Sequence, residues 1–396
     1  MSASMRVPML DLRREYAYMK ADIDAAIRRC LDHQKWILGP EVAELEEKAA
    51  DYLGVRHTIG TSSGTDALVL ALRALAIKTK DREYFDKGDQ IITTPFTFTA
   101  TGDTILRAGA TPVFVDIDPD SYNIDPDRIR QYLVRYTQGA RAGSAKVVGI
   151  IPVHLYGQAC DMDEITAIAK EFGLFVLEDV AQAFGGSHGN RKLGSIGTCG
   201  AFSFFPSKNL GGFGDGGLLS TNDGEIAEIS RMLLKHGGRD KYDVEHIGYN
   251  ARLDTLQAAV LLAKLTYIDE FNGRRKHVGS LYAAELRKTE GIVVPLSRTA
   301  SDHVFHQFTI RVLHGRRDAL RSSLKESGIE SMVYYPVPLT DMKVFHERCV
   351  TQENMAVTKR APHEVLSLPM EPLMEDEEVL SVVRAVRDFQ VTGHSA

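Results

Sequence analysis

The alternation of apolar and polar positions divides the chain into a helical start, a long run of alternating strands and helices, and a mixed end. In residues 39–54, GPEVAELEEKAADYLG, apolar side chains recur every three or four positions and Gly54 provides a stop, which predicts a helix. From about residue 58, amphipathic segments alternate with short apolar runs: QIITT, TPVFVDID, KVVGIIPVH, LFVLEDV, AFSFF and GLLST. This alternation predicts an α/β fold with a mostly parallel central sheet flanked by helices.

The pattern changes near residue 254 and predicts a second, smaller domain. A long helical stretch, DTLQAAVLLAKLTYIDEFN, is followed by the strand-like HVFHQFTIRV and by the helical RDALRSSLKESG and EDEEVLSVVRAVRDF. We therefore expect a large α/β domain over residues 1–253, with a helical N-terminal segment, and a small α+β domain over residues 254–396. One stretch, AIKTKDREYFDKGD, is unusually polar for its place between a helix and a strand, and is interpreted as a surface insertion without chemistry.

Composition and charge exclude several classes of partner. The 396 residues are 44% hydrophobic and 25% charged, as in ordinary globular proteins, and 47 Lys+Arg against 53 Asp+Glu give a formal charge of −6. That balance argues against a nucleic-acid partner. The four cysteines are scattered, which suggests free buried thiols in a reducing compartment. With no signal-peptide core and no run of about 18 apolar residues, we expect a cytoplasmic protein without a membrane contact.

Asp179 is the first candidate for chemistry. It follows the apolar run LFVL, at the carboxyl end of a predicted strand, which is the edge where open α/β sheets bind ligands. Because side chains alternate along a strand, Glu178 and Asp179 should face opposite ways. The alternative interpretation is a helix N-cap.

The stretch SSGT at residues 62–65 is the second candidate. It precedes a predicted helix, whose free N–H groups and partial positive charge favour a phosphate. Glycine would let the ligand approach closely. An ordinary capping turn is the alternative.

The third candidate is SFFPSKNLGGFGDGG at residues 203–217, which has one lysine and five glycines. Gly212, Gly214 and Gly217 formally match a dinucleotide fingerprint, but a strand follows them instead of a helix, so the match is interpreted as accidental. A phosphate cradle, a carboxylate at a sheet edge and an isolated lysine are together the three anchors of pyridoxal 5'-phosphate.

Across nearly its whole length the chain resembles the DegT/StrS-type aminotransferases, a fold-type I family that uses pyridoxal phosphate to aminate nucleotide-linked keto sugars. The resemblance lies in ordered motifs: GTSSGTDALVLAL, TPFTFTAT, GATPVFVDID, PVHLYGQ, LEDVAQAFGG, AFSFFPSKNLGGFGDGG and GYNARLDTLQAA. It implies L-glutamate as amino donor, the pyridoxamine form of the cofactor in the second half-reaction, and a homodimer with a shared active site.

Residue by residue, the resemblance assigns the groups around the cofactor ring. Lys208 matches the catalytic lysine that bonds the cofactor aldehyde. Asp179 matches the partner of the ring nitrogen, Gln182 the side chain beside the ring hydroxyl, and Phe98 the aromatic stacked on the ring. Taken alone, Phe98 would be interpreted as a core aromatic.

The resemblance also implies contacts to the cofactor phosphate and to the substrate. Asn250 matches a residue that reaches the phosphate from the other subunit. The phosphate cradle of the same subunit is matched by Gly64, Thr65 and Ser203. Matches to regions that approach the substrate are His154, Tyr156, Arg252 and Tyr334. His154 could equally be a satisfied buried histidine.

Two positions depart from the family pattern. Histidine is frequent after the YPxPL motif and after LSLPM, but this chain has Thr340 and Glu371 there. The first departure puts carried-over substrate contacts in doubt, and neither affects the cofactor anchors.

The expected reaction is transamination of a nucleotide-linked keto sugar in amino-sugar or surface-polysaccharide biosynthesis. The loop SKNLGGFGDGG is more similar to members that aminate C-3 of a hexose than to those that act at C-4. The alternatives are a C-4 aminotransferase, a sugar dehydratase, which would have histidine in place of Lys208, and a nicotinamide-dependent dehydrogenase, which would need the missing fingerprint. A non-enzymatic regulator that binds pyridoxal phosphate would normally carry a DNA-binding segment.

Overall fold

An eight-stranded sheet forms the centre of the protein. The computed structural model describes residues 6–139, 146–240, 242–296 and 302–389. In spatial order the strands are β1 (His57–Thr61), β9 (Gly217–Thr221), β8 (Cys199–Ser203), β5 (Phe175–Asp179), β4 (Lys146–Ile151), β2 (Asp89–Thr93), β3 (Thr111–Phe114) and β12 (Val350–Thr351). Only β9 runs against its neighbours, so within the described residues the sheet is mostly parallel, as the alternating pattern predicts.

Helices lie between successive strands and around the sheet. Those of the first 253 residues are α1 (Leu12–His33), α2 (Pro40–Leu53), α3 (Gly64–Lys80), α4 (Thr99–Arg107), α5 (Pro126–Gly139), α6 (Met162–Phe172) and α7 (Gly224–Leu233). The side chains of Asp11, Ser63, Asp161 and Asp223 cap α1, α3, α6 and α7 by accepting hydrogen bonds from first-turn N–H groups. Helix α3 is buried over Ala67–Ala76, because it packs against the sheet and against α4 and α7.

The last third of the chain adds a second core. Its antiparallel sheet has the order β10 (Ile292–Val293), β11 (Phe308–Val312) and β13 (Val365–Leu368). The helices are α8 (Thr255–Leu265), α9 (Ile268–Leu286), α10 (Arg317–Glu326), α11 (Ala356–Glu364) and α12 (Asp376–Asp388). A hairpin of β6 (Ser187–His188) and β7 (Arg191–Lys192) completes the strands of the described residues.

The two predicted domains exchange segments. Helix α8 packs on α1 and α2, and β12 pairs with β3 in the large sheet, although both follow residue 254. Conversely, Val7 pairs with Ile329 and belongs to the second core. The boundary at residues 253 and 254 stays a prediction.

Two expectations from the sequence are free cysteine thiols and the absence of a membrane-spanning segment. The four cysteines are free, and Cys30, Cys160 and Cys199 are buried. Among the described residues, no helix has the length and apolar character needed to cross a membrane.

The polar stretch at residues 76–89 is only in part a surface insertion. Helix α3 continues to Lys80, and the irregular segment comprises residues 81–88. Within that segment Phe85 is buried in the core. The segment is therefore attached to the large domain by an apolar anchor.

Glu178 fixes the end of the central strand β5. Its fully buried carboxylate accepts hydrogen bonds from the backbone N–H groups of Gly194 (2.9 Å), Ile196 (2.8 Å) and Gly197 (2.7 Å). The Nε2 atom of His154 lies 3.1 Å from the same carboxylate. A carboxylate with this many donors is well stabilised although water does not reach it.

We expect Glu178→Ala to lower the free energy of unfolding by about 3 kcal/mol or more, because the buried donors would lose their acceptor. Urea denaturation followed by circular dichroism measures the change. The control is Glu353→Ala, which removes an exposed carboxylate paired with Arg135 and should leave the free energy of unfolding nearly unchanged. Equal losses in the two variants would contradict the role given to Glu178.

Candidate active site

The carboxyl ends of the parallel strands bring the predicted cofactor residues to one edge of the sheet. Strand β5 ends at Asp179 and β8 ends at Ser203. Strand β1 leads through residues 62–63 into α3, which begins at Gly64, and β2 leads into the segment before α4. Since these strands are parallel to one another, the four connections open on the same side.

Asp179 is buried and faces away from Glu178, as alternation along the strand requires. Its Oδ2 accepts a hydrogen bond from Thr101 Oγ1 (2.8 Å) and its Oδ1 accepts one from the N–H of Ala181 (3.2 Å). Burial raises the pKa of Asp179, and these two hydrogen bonds and the positive charge of Lys208 act in the opposite direction. The carboxylate therefore keeps acceptor capacity for a cationic N–H.

Lys208 has an amine without a partner among the residues that the structure describes. Its backbone N–H closes a turn onto the carbonyl of Phe205 (2.8 Å). Burial lowers the pKa of Lys208 to about 8, although the negative charge of Asp179 acts to raise it. Within the described ranges its Nζ makes no hydrogen bond or ion pair. An amine that is about half neutral near pH 8 suits covalent bonding to an aldehyde.

The start of α3 and the end of β8 form a cradle for an anion. The side chain of Ser63 caps the helix by accepting from the N–H of Asp66 (3.0 Å). The N–H groups of Gly64 and Thr65 have no partner among the described residues. A Cβ added at Gly64 would lie 2.7 Å from the Cβ of Ser203, so only glycine permits this approach. Two free N–H groups beside a hydroxyl fit a phosphate.

Phe98 and Gln182 both contact Tyr335. Phe98 precedes the first turn of α4 with 57% of its surface exposed, and its ring centroid lies 6.5 Å from that of Tyr335. Gln182 accepts from the N–H of Tyr156 (2.8 Å) and donates through Nε2 to the hydroxyl of Tyr335 (3.0 Å). An exposed aromatic ring and an ordered polar side chain joined through one tyrosine are groups of the kind that bind a flat heteroaromatic ring.

The structure holds His154 on the other side of β5. Its Nδ1 accepts a hydrogen bond from the N–H of Cys160 (3.1 Å), so its Nε2 carries the proton and donates it to Glu178. Both ring nitrogens are thus used within the protein. The imidazole is fully buried.

The remaining predicted site residues differ in burial. Tyr156 is buried and donates its hydroxyl to the carbonyl of Tyr334. The backbone of Arg252 pairs with Thr61 at the end of β1, and its Nε is buried without a partner among the described residues. Asn250 is exposed.

The two departures from the family pattern also have definite positions. The hydroxyl of Thr340 donates to the carboxylate of Asp341 (3.1 Å). Glu371 is buried and accepts from Arg14 (3.0 Å) and from the N–H of Leu373 (3.0 Å). Glu371 therefore links α1 to the second core.

Sequence reasoning missed Thr101 and Tyr335. Thr101 lies in the quoted TPFTFTAT motif, but nothing in its spacing shows which hydroxyl meets Asp179. Tyr335 neighbours the predicted Tyr334 in VYYPVPL, and it is Tyr335 that contacts Gln182. Both contacts join residues distant in sequence.

Comparison with known proteins gives concordant results. The model of the DegT/DnrJ/EryC1/StrS aminotransferase family matches residues 17–387. The chain is 42% identical to a pleiotropic regulatory protein of Geobacillus stearothermophilus, covering 97% of this chain and 99% of that one. It is 38% identical to UDP-2-acetamido-2-deoxy-3-oxo-D-glucuronate aminotransferase of Pseudomonas aeruginosa (96% and 99% covered). It is 39% identical to dTDP-3-amino-3,4,6-trideoxy-alpha-D-glucose transaminase of Streptomyces venezuelae (97% and 96% covered).

Among solved structures, S. venezuelae DesV in complex with a ketimine intermediate is similar to the chain. The TM-score is 0.89 with 39% identity, and the match covers 97% of this chain and 98% of that one. Such a likeness confirms the predicted fold class.

Gly64→Ala should weaken binding of pyridoxal phosphate about tenfold or more, because the added methyl group displaces the helix start from Ser203 and costs a charge-assisted hydrogen bond. Fluorescence titration of the cofactor-free protein measures the dissociation constant. The matched control is Gly273→Ala in α9, where an added Cβ meets nothing within 4 Å. Unchanged affinity in Gly64→Ala would exclude the cradle.

The amine of Lys208 in the cofactor-free protein should react with an acylating reagent at a half-maximal rate near pH 8. Its pKa is lowered to about 8, so the unreactive ammonium dominates below that pH and the reactive amine above it. Peptide mass spectrometry measures the rate for this lysine. Asp179→Asn should move the transition to lower pH, because it removes the charge that raises the pKa. A transition near pH 10, as for exposed lysines, would contradict the buried environment.

Proposed function

The chain belongs to the DegT/DnrJ/EryC1/StrS aminotransferase family, and we propose that it transfers the amino group of L-glutamate to the C-3 ketone of a nucleotide-linked hexose. As a member it is an aminotransferase that depends on pyridoxal phosphate. The observation that carries the proposed chemistry is the amine of Lys208, which has a lowered pKa and no partner in the described ranges, beside the buried carboxylate of Asp179.

We propose that the cofactor is held at three points. The phosphate would lie against the N–H groups of Gly64 and Thr65 and the hydroxyl of Ser203, whose oxygen accepts from the N–H of Phe205 (3.3 Å) and leaves its proton free to donate. Phe98 would cover one ring face. Asp179 would accept the N–H of the ring nitrogen, and Gln182 would lie beside the ring hydroxyl.

Lys208 is proposed to move the proton of the reaction. Pyridoxal phosphate, when bound, supplies an electron sink that stabilises negative charge on the carbon bearing the amino group. The neutral Nζ of Lys208 can take the proton from that carbon of the donor and return it, because its pKa lies near working pH. Burial of Asp179 and Lys208 limits exchange of this proton with water.

The proposed position of amination is supported by two similar proteins and one loop. The names of the Pseudomonas and Streptomyces relatives refer to a 3-oxo and a 3-amino sugar, one linked to UDP and the other to dTDP. The loop SKNLGGFGDGG, which is more similar to that of family members acting at C-3, supports the same position. We therefore propose a UDP- or dTDP-linked 3-keto hexose as substrate, in amino-sugar biosynthesis.

The presence of Lys208 argues against a dehydratase, and the missing glycine fingerprint argues against a nicotinamide enzyme. For substrate contacts we propose Arg252, whose Nε is buried without a described partner, together with Tyr156 and Tyr334. We propose that His154 supports the site through Glu178 instead of touching the substrate.

We further propose a cytoplasmic homodimer whose subunits complete each other's active sites. Asn250 is exposed on its own subunit, as a residue that serves a neighbour would be. Two large apolar side chains of the segment 203–217, Phe205 and Phe213, are also exposed. Their burial against a second copy would remove this apolar surface from water.

A defined assay tests the proposed reaction. The enzyme is incubated with L-glutamate and, in turn, 3-keto and 4-keto hexoses linked to UDP or dTDP, and the products are identified by mass spectrometry and NMR. We expect amination at C-3 with release of one 2-oxoglutarate per amino sugar. Lys208→Ala should show no turnover and no long-wavelength cofactor absorbance.

Each other outcome of this assay has a definite meaning. Turnover of 4-keto sugars alone would overturn the C-3 assignment. Full cofactor absorbance that no amino donor changes would favour a regulator over an enzyme. An active, yellow Lys208→Ala variant would refute the assignment of the lysine.

A further inference from the structure

A fully buried arginine lies in the middle of helix α3. Arg73 belongs to the continuously buried stretch Ala67–Ala76, where its neighbours are apolar. A guanidinium in such a place is tolerated only when its N–H groups are matched and its charge is paired. The hydrogen-bond partners of Arg73 therefore indicate which parts of the structure its guanidinium stabilises.

Two separate loops supply all the hydrogen-bond partners of Arg73 among the described residues. From the segment 81–88, Glu83 accepts from NH2 through its carboxylate (2.6 Å) and from Nε through its carbonyl. From the loop 236–250, the hydroxyl of Tyr249 accepts from NH1 (2.7 Å) and the carbonyl of Ile247 accepts from NH2 (3.0 Å). The ring of Tyr84 lies 3.8 Å from the guanidinium carbon.

Glu83 also contacts the second loop directly. One carboxylate oxygen lies 2.9 Å from Nδ1 of His246, and the other accepts from the N–H of Ile247 (3.3 Å). Arg73, Glu83, His246 and Tyr249 thus form one connected group, the loop clasp. Through the loop clasp, the polar segment 81–88, for which the sequence indicated no chemistry, is bound to the loop 236–250.

The loop 236–250 exposes apolar side chains to solvent. Tyr242, Val244 and Ile247 are 89%, 57% and 61% exposed. Asn250 directly follows Tyr249 of the loop clasp, and Arg252 pairs with β1 two residues later. The backbone of Asn250 is bridged to Lys235, and Tyr249 is bonded to Leu233 and His236, so the side-chain contacts of Tyr249 and this bridge together set the position of Asn250.

We propose that the loop clasp positions Asn250 for the cofactor phosphate in the active site of a second copy of this chain. The inference rests on the proposed dimer with shared sites. Helix α3 then serves both sites: its N-terminus holds the phosphate in its own subunit, and Arg73, nine residues further along, sets the loop that completes the partner's site. The members of the loop clasp are positioning residues, since they act through Asn250.

The first experiment compares cofactor affinity in variants of the full-length protein. Glu83→Ala should weaken binding of pyridoxal phosphate about tenfold or more, since it removes charge-assisted hydrogen bonds that hold the loop. Tyr249→Phe, which removes one hydroxyl, should give a smaller loss in the same direction. The control Arg82→Gln changes the same segment at an exposed ion pair with Asp86 and should leave the affinity unchanged. Wild-type affinity in Glu83→Ala would overturn the proposal.

The second experiment uses hybrid dimers in which only one subunit retains Lys208. In one hybrid, a Lys208→Ala subunit with an intact loop clasp is paired with a Glu83→Ala subunit, so the remaining lysine receives an intact loop. In the other, a subunit with both Lys208→Ala and Glu83→Ala is paired with an unaltered subunit, so the remaining lysine receives the altered loop. We expect wild-type affinity in the first and weakened affinity in the second, measured by the absorbance of lysine-bound cofactor.

The opposite pattern would show that the loop clasp acts within its own subunit and would overturn the proposal. Asn250→Ala separates the two ways of failing. If the protein sediments as a monomer, or if Asn250→Ala binds the cofactor normally, the shared site itself is wrong. If Asn250→Ala loses affinity but Glu83→Ala does not, the shared site stands and the loop clasp is wrong.

Discussion

The candidate active site depends on the Asp179 carboxylate and the Lys208 amine lying close enough for each to change the pKa of the other. Burial acts on both pKa values in the direction of the neutral form. Hydrogen bonds from Thr101 and from the N–H of Ala181 hold the Asp179 carboxylate. Glu178, one residue away on the opposite face of β5, fixes the end of this strand by accepting from three backbone N–H groups of residues 194–197.

The parallel sheet brings the other candidate groups to the same edge as Asp179. Because its parallel strands end at one edge, each following connection contributes a group: the helix start after β1, the aromatic segment after β2, the carboxylate of β5 and the hydroxyl of β8. This part was predictable from the sequence, since apolar runs show where strands end and alternation shows that Glu178 and Asp179 diverge. The roles of Lys208, Gly64 and Ser203 come from the family resemblance and stay predictions.

What the sequence could not predict are contacts between distant segments. Thr101 meets Asp179 and Gln182 meets Tyr335 across 78 and 153 residues, and no periodicity records such pairs. The segment 81–88 shows the same limit: its polar residues looked like a solvated insertion because the partner of Glu83 is an arginine hidden in an apolar helix. The exchange of α8 and β12 across the expected domain boundary is likewise a matter of tertiary packing.

Hydrogen-bond matching separates the supporting groups of this protein from the reactive ones. Two cations illustrate it: the fully buried Arg73 is bound by Glu83, Tyr249 and Ile247, whereas the Nζ of the half-buried Lys208 has no hydrogen-bond partner in the described part of the chain. Among carboxylates, Glu178 accepts from four donors, while Asp179 accepts from two and keeps capacity for a third. Leaving a buried polar group unmatched costs free energy. His154, with both ring nitrogens used, is therefore assigned to the support, and Arg252, with its Nε buried and unmatched among the described residues, stays a proposed substrate contact.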